Sequence, residues 1–272
     1  MSITYKTLLE QADNHFQNRA DAEFFMQALT NKKRHELFMD NLAIPKHIFN
    51  EFNKYLSRCR PDMPVQYLVN KAYFLSYELY IDERAMIPRP ETEELVMKIA
   101  DRLNKSSVSP NAILDIGMGS GAIAIALANM FPDSNVFATD ISSKAIDVAK
   151  LNANKYGLVR KINLIQADLF PATDIKFGLI ISNPPYIPHN EIKTLPLSVR
   201  NYEPSLALDG GKQGFEIIEK IIRQAPDYLM PKGLLALEID PRQEKLIKNL
   251  VSHAQFEKDN QGFIRYAFIK YE

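Results

Sequence analysis

From about residue 92 the chain alternates short apolar runs with segments of helical spacing, and this alternation leaves few folds open. Leu95, Val96, Ile99 and Leu103 recur along one helix face. Ala112 to Ile116 reads as a strand, Ala122 to Met130 as a helix and Val136 to Thr139 as a strand. Ser142 or Ser143 caps the helix that follows. Ile162 to Ile165, Leu179 to Ile181 and Gly233 to Glu238 are further strands. Strands separated by helices predict an α/β fold, with a mostly parallel sheet covered on both faces. The last apolar runs, near Phe256 and from Ile264 to Ile269, lie close together and are expected to form an antiparallel edge.

The front of the chain is different. Residues 1–72 show helical spacing and no strong strand, and predict a small helical domain. Asp21 and Glu23 mark a helix start. Pro45 stands where a first helical turn tolerates it. After it Ile48, Phe49, Phe52, Tyr55, Leu56 and Cys59 make one apolar face, which predicts a buried Cys59. Residues 73–91 read as a hairpin and linker. Tyr73, Leu75, Tyr77, Leu79 and Ile81 alternate as a hairpin would, and Ile87-Pro88-Arg89-Pro90 is stiff and extended. Residues 92–272 form the α/β domain.

Composition narrows the function classes. The 272 residues, 46% of them apolar, support a sizeable core. Lys and Arg number 33, and so do Asp and Glu; this balance speaks against a non-specific nucleic-acid binder. Cys59 is the only cysteine, so neither an internal disulfide nor a closed thiolate metal site can form. The five histidines lack metal-ligand spacing. No signal-peptide pattern opens the sequence and no apolar run has the length of a membrane span. The expectation is a soluble, cytoplasmic protein that uses no metal.

Two loops carry the chemistry. Gly117-Met118-Gly119-Ser120-Gly121 follows the first strand of the α/β domain, where open sheets bind ligands and glycine permits close approach. The run also fits the dinucleotide fingerprint. Asp140 ends the next strand, placed to bind ribose hydroxyls of either NAD or S-adenosylmethionine. Asp168 follows the third strand, placed to read an adenine amino group. Asn183-Pro184-Pro185-Tyr186 then closes the apolar run from Phe177 to Ser182. The Asn183 side-chain oxygen and the Pro184 carbonyl form a pair of acceptors for the two hydrogens of an NH2 group, while Tyr186 adds a flat packing surface. A hydride-transfer enzyme has no use for such a pair. A methyltransferase acting on an NH2 group does.

With these residues in place, the chain resembles the protein-(glutamine-N5) methyltransferases that modify peptide-chain release factors. The resemblance spans almost the whole chain. It includes Pro64-Val65-Gln66-Tyr67-Leu68, Ile87-Pro88-Arg89-Pro90-Glu91-Thr92-Glu93, the stretch from Leu114 to Ala122, and Asn183 to Tyr186. It continues through Tyr202-Glu203-Pro204 and Ala207-Leu208-Asp209-Gly210-Gly211. The glycine loop is common to many methyltransferases, and Asn-Pro-Pro-Tyr is shared with enzymes that methylate nucleobase amino groups. The two proline-rich runs before the sheet are more specific.

The resemblance implies a Rossmann-like class I methyltransferase sheet behind a helical domain that docks the release factor. It assigns Gly117, Met118, Gly119, Ser120 and Gly121 to the methionine part of S-adenosylmethionine. Asp140 goes to the ribose, and Asp168 and Leu169 flank the adenine. Asn183, Pro184, Pro185 and Tyr186 hold the substrate glutamine, which lies in a Gly-Gly-Gln motif. Asn183, Pro184 and Tyr186 are the expected catalytic residues, and Asn183 also touches the cofactor. The expected protein is a monomer that binds a release factor and neither nucleic acid nor membrane.

Leu169 stands where many members have tryptophan, so aliphatic contact, aided by Phe170, has to replace ring stacking. Asn70 and Asp240 stand where glycine is usual. Glu91 and Glu93 either line the site or stabilise a helix N-terminus. Lys32-Lys33-Arg34 is either a solvated helix end or a contact for RNA or an acidic partner. Glutamine methylation of a ribosomal protein and amino-group methylation of DNA or RNA are the alternatives to a release factor.

Overall fold

The computed structural model describes residues 3–39, 43–106 and 110–271. The chain divides into two compact units, Met1–Lys71 with Leu197–Tyr202, and Ala72–Pro196 with Glu203–Glu272.

The first unit contains α1 (Tyr5–Phe16), α2 (Arg19–Thr30), α3 (Lys46–Arg58) and α4 (Val65–Val69). Its core gathers Leu8, Leu9, Phe25, Met26 and Phe52, with Phe49, Tyr55, Leu56 and Cys59 packed against it. The apolar stripe after Pro45 is therefore the inner face of α3. Cys59 is only half-buried, because α3 ends at Arg58 and leaves Cys59 as its C-cap. Helix α2 starts two residues before Asp21, since the Asn18 side chain accepts from the Ala20 and Asp21 amides. Asn70 caps α4 at φ 54°, a left-handed position that asparagine tolerates, so the missing glycine leaves the turn intact. In the basic run, Lys32 pairs with Glu36 and Arg34 with Glu23.

The second unit opens with a hairpin, β1 (Ala72–Phe74) and β2 (Tyr77–Leu79). Its pleat is opposite to the expected one in β1. Phe74 is fully buried and Tyr73 is 48% exposed, because Leu75 turns the chain at φ 52° and reverses the alternation. Then follow α5 (Pro90–Ser106), β3 (Ala112–Ile116), α6 (Ala122–Met130), β4 (Asn135–Asp140), α7 (Ser143–Lys155), β5 (Ile162–Gln166) and β6 (Phe177–Ser182). The single turn α8 (Leu197–Arg200) belongs to the helical unit. Next come α9 (Glu216–Gln224), β7 (Leu229–Glu238), α10 (Glu244–Leu250), β8 (Gln255–Lys258) and β9 (Ile264–Lys270).

The seven-stranded sheet has the order β5-β4-β3-β6-β7-β9-β8. β3 to β7 are parallel, and β9 runs antiparallel to both β7 and β8. This is the mostly parallel sheet with an antiparallel edge that the sequence predicts. Val96, Ile99, Ile123, Leu127 and Ala149 cover one face, and Ile218, Ile221, Ile222 and Ile247 the other. The strand order reverses between β3 and β6, and such a switch point opens a crevice at the carboxyl ends of the two strands. Ile116 and Ser182 are register partners there, and the Ser182 hydroxyl donates to the Ile116 carbonyl at 2.7 Å. The glycine loop and Asn183 therefore leave the sheet side by side.

Candidate functional site

A cavity of about 240 Å³ lies within the second unit, over the ends of β3, β4 and β6. Of the residues expected to hold a ligand, Gly117, Met118, Gly119, Ser120, Asp140, Asp168, Leu169, Asn183, Pro184 and Pro185 line it.

The glycine loop is anchored by its own backbone. The amides of Gly117 and Met118 both donate to the Thr139 carbonyl, at 2.8 and 2.9 Å. Gly117 and Gly119 take φ of 74° and 52°, and a Cβ built on either meets no atom within 4 Å. Packing does not demand glycine at these two positions. The open space above them is a cradle that a side chain would fill, which suits a ligand in close approach. Gly121 differs. It caps α6, does not line the cavity, and a Cβ there would come within 3.2 Å of the Ala149 side chain. Its glycine serves the packing of α6 against α7.

Asp140 has a double role. One carboxyl oxygen accepts from the Gly119 amide and the other from the Ser142 amide, both at 2.9 Å. The carboxylate thus ties the glycine loop to the start of α7 while facing the cavity. Burial pushes its pKa above the usual range, against the pull of those amides. Beneath it, fully buried Asp115 accepts from the Ala124 amide in the first turn of α6, and burial pushes its pKa up to about 8. Leu169 reaches the cavity from a left-handed backbone, φ 68°, and the Thr139 hydroxyl holds its carbonyl at 2.6 Å. Phe170 gives no help there. It points into the core and stacks on Tyr228 at 4.4 Å between ring centres.

At the end of β6 the Asn183 side chain is held from behind. Its Nδ2 donates to the Thr92 hydroxyl at 2.9 Å. Thr92 in turn donates to Glu238 at 2.6 Å, and Glu238 is 1% exposed. Among the described residues, no protein hydrogen bond ends on the Asn183 Oδ1 or on the Pro184 carbonyl. Tyr186 does not line the cavity. Its partly buried ring packs against the core and its hydroxyl donates to Glu238 at 3.3 Å, so it supports the turn from behind. Burial raises the pKa of this phenol.

Glu91 and Glu93 also fall outside the cavity lining. Glu93 accepts from the Leu75 amide at 2.8 Å and so holds the hairpin turn. Both carboxylates sit in the first turn of α5. Asp240 caps the turn that follows β7, accepting from the Arg242 amide, and at φ −76° it has no need of glycine. Exposed His189 bonds to Asp209 at 2.6 Å and holds that carboxyl below the usual range. The sequence reading missed Glu238 as part of the site and took in Thr92 only within the run it shares with Glu91 and Glu93. One signal for Glu238 was available: a carboxylate ending the apolar run Leu234 to Leu237 must find donors once buried.

Comparison with known proteins agrees with this geometry. The Methyltransferase small domain family matches residues 95–197, and the PrmC N-terminal domain family matches residues 4–69. A release factor glutamine methyltransferase of Chlorobaculum tepidum is 37% identical over 244 residues, covering 86% of this chain and 82% of that protein. One from Rhodopirellula baltica is 36% identical over 278 residues, covering 98% and 92%. Among solved structures, ribosomal protein L11 methylase from Lactobacillus delbrueckii subsp. bulgaricus aligns with a TM-score of 0.51 at 24% identity, over 69% of this chain and 82% of that one. The 16S rRNA N2 G1207 methyltransferase of T. Thermophilus aligns at 0.53 and 20% identity, over 74% and 50%. At such identity the two structures speak for the fold alone. The relatives extend over both the helical front and the sheet, and on that ground the chain belongs to the release factor glutamine methyltransferase family.

Proposed function

We propose that the protein transfers a methyl group from S-adenosylmethionine to the side-chain amide nitrogen (N5) of the glutamine in the Gly-Gly-Gln motif of a peptide-chain release factor. One observation carries this reading: two unused acceptors, the Asn183 Oδ1 and the Pro184 carbonyl, stand beside the open glycine cradle. An amide nitrogen is a poor nucleophile because its lone pair is delocalised into the carbonyl. The two acceptors engage both of its hydrogens and fix its position. As positive charge develops on the nitrogen, both bonds strengthen, which favours the transition state over the ground state. The proton leaves to water after transfer. Pro185 lines the same wall, and Tyr186 supports it from behind.

The residues present fit S-adenosylmethionine. Gly117 and Gly119, with Met118 and Ser120, would face its methionine part, Asp140 its ribose, and Asp168 and Leu169 its adenine. When bound, it supplies the methyl on a sulfonium that needs no metal for activation. In this reading the helical unit docks the release factor. The protein is a cytoplasmic monomer whose partner is a protein and not a nucleic acid, in keeping with its balanced charge.

The test is incubation with S-adenosylmethionine and purified release factor, followed by mass spectrometry. The expected result is one added methyl on the Gly-Gly-Gln glutamine. Methylation of RNA or of a ribosomal protein instead, with the release factor unmodified, overturns the reading. For the cofactor, Gly119→Ala is expected to raise the dissociation constant about tenfold or more, roughly 1.4 kcal/mol, measured by calorimetry. An unchanged constant would show that the cradle is not the binding surface.

A further inference from the structure

We infer that Glu238, acting through Thr92, is a positioning residue that decides which end of the Asn183 side chain faces the reacting amide; the inference rests on the methyl-transfer reading above. An asparagine amide is nearly symmetric in shape but not in chemistry. Turned one way it presents Oδ1, an acceptor that suits an NH2 substrate. Turned the other way it presents its own NH2, and donor meets donor. Shape alone does not choose between the two.

The choice comes from a chain of hydrogen bonds. An ionised carboxylate can only accept. Glu238 at the end of β7 therefore obliges the Thr92 hydroxyl to donate its one proton to Oε2, at 2.6 Å. With that proton committed, the Thr92 oxygen can only accept from Asn183, and the group it accepts from is Nδ2, at 2.9 Å. Oδ1 is left facing the cavity. The second carboxyl oxygen takes the Tyr186 hydroxyl at 3.3 Å, so one buried carboxylate orients both the first and last residues of the Asn-Pro-Pro-Tyr turn.

The charged and titratable groups facing Glu238 come from three elements. Glu91 lies on α5, Tyr186 follows β6, and Arg265 and Tyr266 lie on β9. Burial pushes the Glu238 pKa up to about 7; Thr92, Arg265 and Tyr186 pull it down, and Glu91 pushes it further up. Above that pH the carboxylate accepts only and the direction of the chain is locked. Below it the protonated acid can donate to Thr92, which frees the Thr92 hydroxyl to donate to Asn183 and lets the amide reverse. Turnover should therefore fall as the pH drops through about 7.

The test uses the full-length enzyme with S-adenosylmethionine and release factor. Thr92→Val keeps the shape and removes the hydroxyl. It is expected to lower kcat by about tenfold to a hundredfold while the cofactor dissociation constant and the release-factor KM stay within about threefold. Thr92→Ser, which keeps the hydroxyl, should restore most of kcat. Glu238→Gln should erase the acid limb of kcat between about pH 5.5 and pH 8.5, because its amide cannot change protonation there. A wild-type kcat in Thr92→Val, an equal loss in Thr92→Ser, or an acid limb that survives in Glu238→Gln overturns the inference while leaving methyl transfer intact. If Thr92→Val does not fold, the Glu238→Gln profile decides. Absence of methylation by the wild type overturns both readings.

Discussion

Asn183→Ala is expected to lower kcat by about 10²- to 10³-fold, roughly 2.7–4 kcal/mol, as loss of a positioned hydrogen-bonding group in an active site does. Cofactor affinity should change far less, because the glycine loop and Asp140 remain. Stability should also change little. Removing the side chain takes a donor from Thr92, but the Thr92 hydroxyl keeps its own acceptor in Glu238. No buried donor is stranded, so the loss should be about 1 kcal/mol. The two effects are read separately, kcat from S-adenosylhomocysteine formed with release factor, and stability from the melting temperature. A variant that methylates at the wild-type rate removes Asn183 from the mechanism. One that loses activity only in step with folded protein reduces it to a structural residue.

The same network shows where sequence ceases to be informative. Strands β3 to β6 were legible because each is a run of apolar residues bounded by turn formers, and buried parallel strands leave that signature. The glycine loop and Asn183 were legible as short motifs at strand ends. Helices α9 and α10 were not read, although Ile218, Ile221, Ile222 and Ile247 are buried in them. Both carry apolar residues at helical spacing, Ile217, Ile218, Ile221 and Ile222 in α9 and Leu246, Ile247 and Leu250 in α10, so here the signal stands in the sequence. Thr92 and Glu238 meet across 146 residues of chain. Neither carries a local sign of the other; only the sheet order that sets β6 beside β7, and the packing of α5, bring them together. The glycines illustrate the same limit. Gly119 and Gly121 look alike in the motif, yet one has empty space above it and the other is pressed against α7. Tyr186 is expected to offer the substrate a flat packing surface, but its ring packs against the core and its hydroxyl reaches Glu238.

Gly214→Ala is expected to lose about 2–5 kcal/mol, although this loop residue has no part in the chemistry. Gly214 takes φ 70°, where an L-residue carries a cost of about 1–2 kcal/mol. A Cβ there would also overlap the Tyr186 carbonyl oxygen and come within 2.9 Å of the Pro188 nitrogen. These are backbone atoms, which cannot rotate away, so overpacking adds about 1–3 kcal/mol. Neighbouring Gly210 is as tightly placed, its Cβ position 2.7 Å from the Pro185 carbonyl oxygen. The two glycines form the wall behind the Asn-Pro-Pro-Tyr turn, and Gln243 clamps it by donating to the carbonyls of Gly214 and Tyr186. For a chain of this size each kcal/mol is worth about 2–4 °C, so the melting temperature should fall by about 4–20 °C. Gly157→Ala is the control: φ is similar at 69°, but a Cβ meets nothing within 4 Å, so only the backbone cost of about 1–2 kcal/mol remains. The difference between the two variants isolates the clash. At temperatures where both are folded, Gly214→Ala should also lose kcat, because the overlap can be relieved only by shifting the turn that positions Asn183. Equal losses in the two variants would mean that the wall yields without moving the turn.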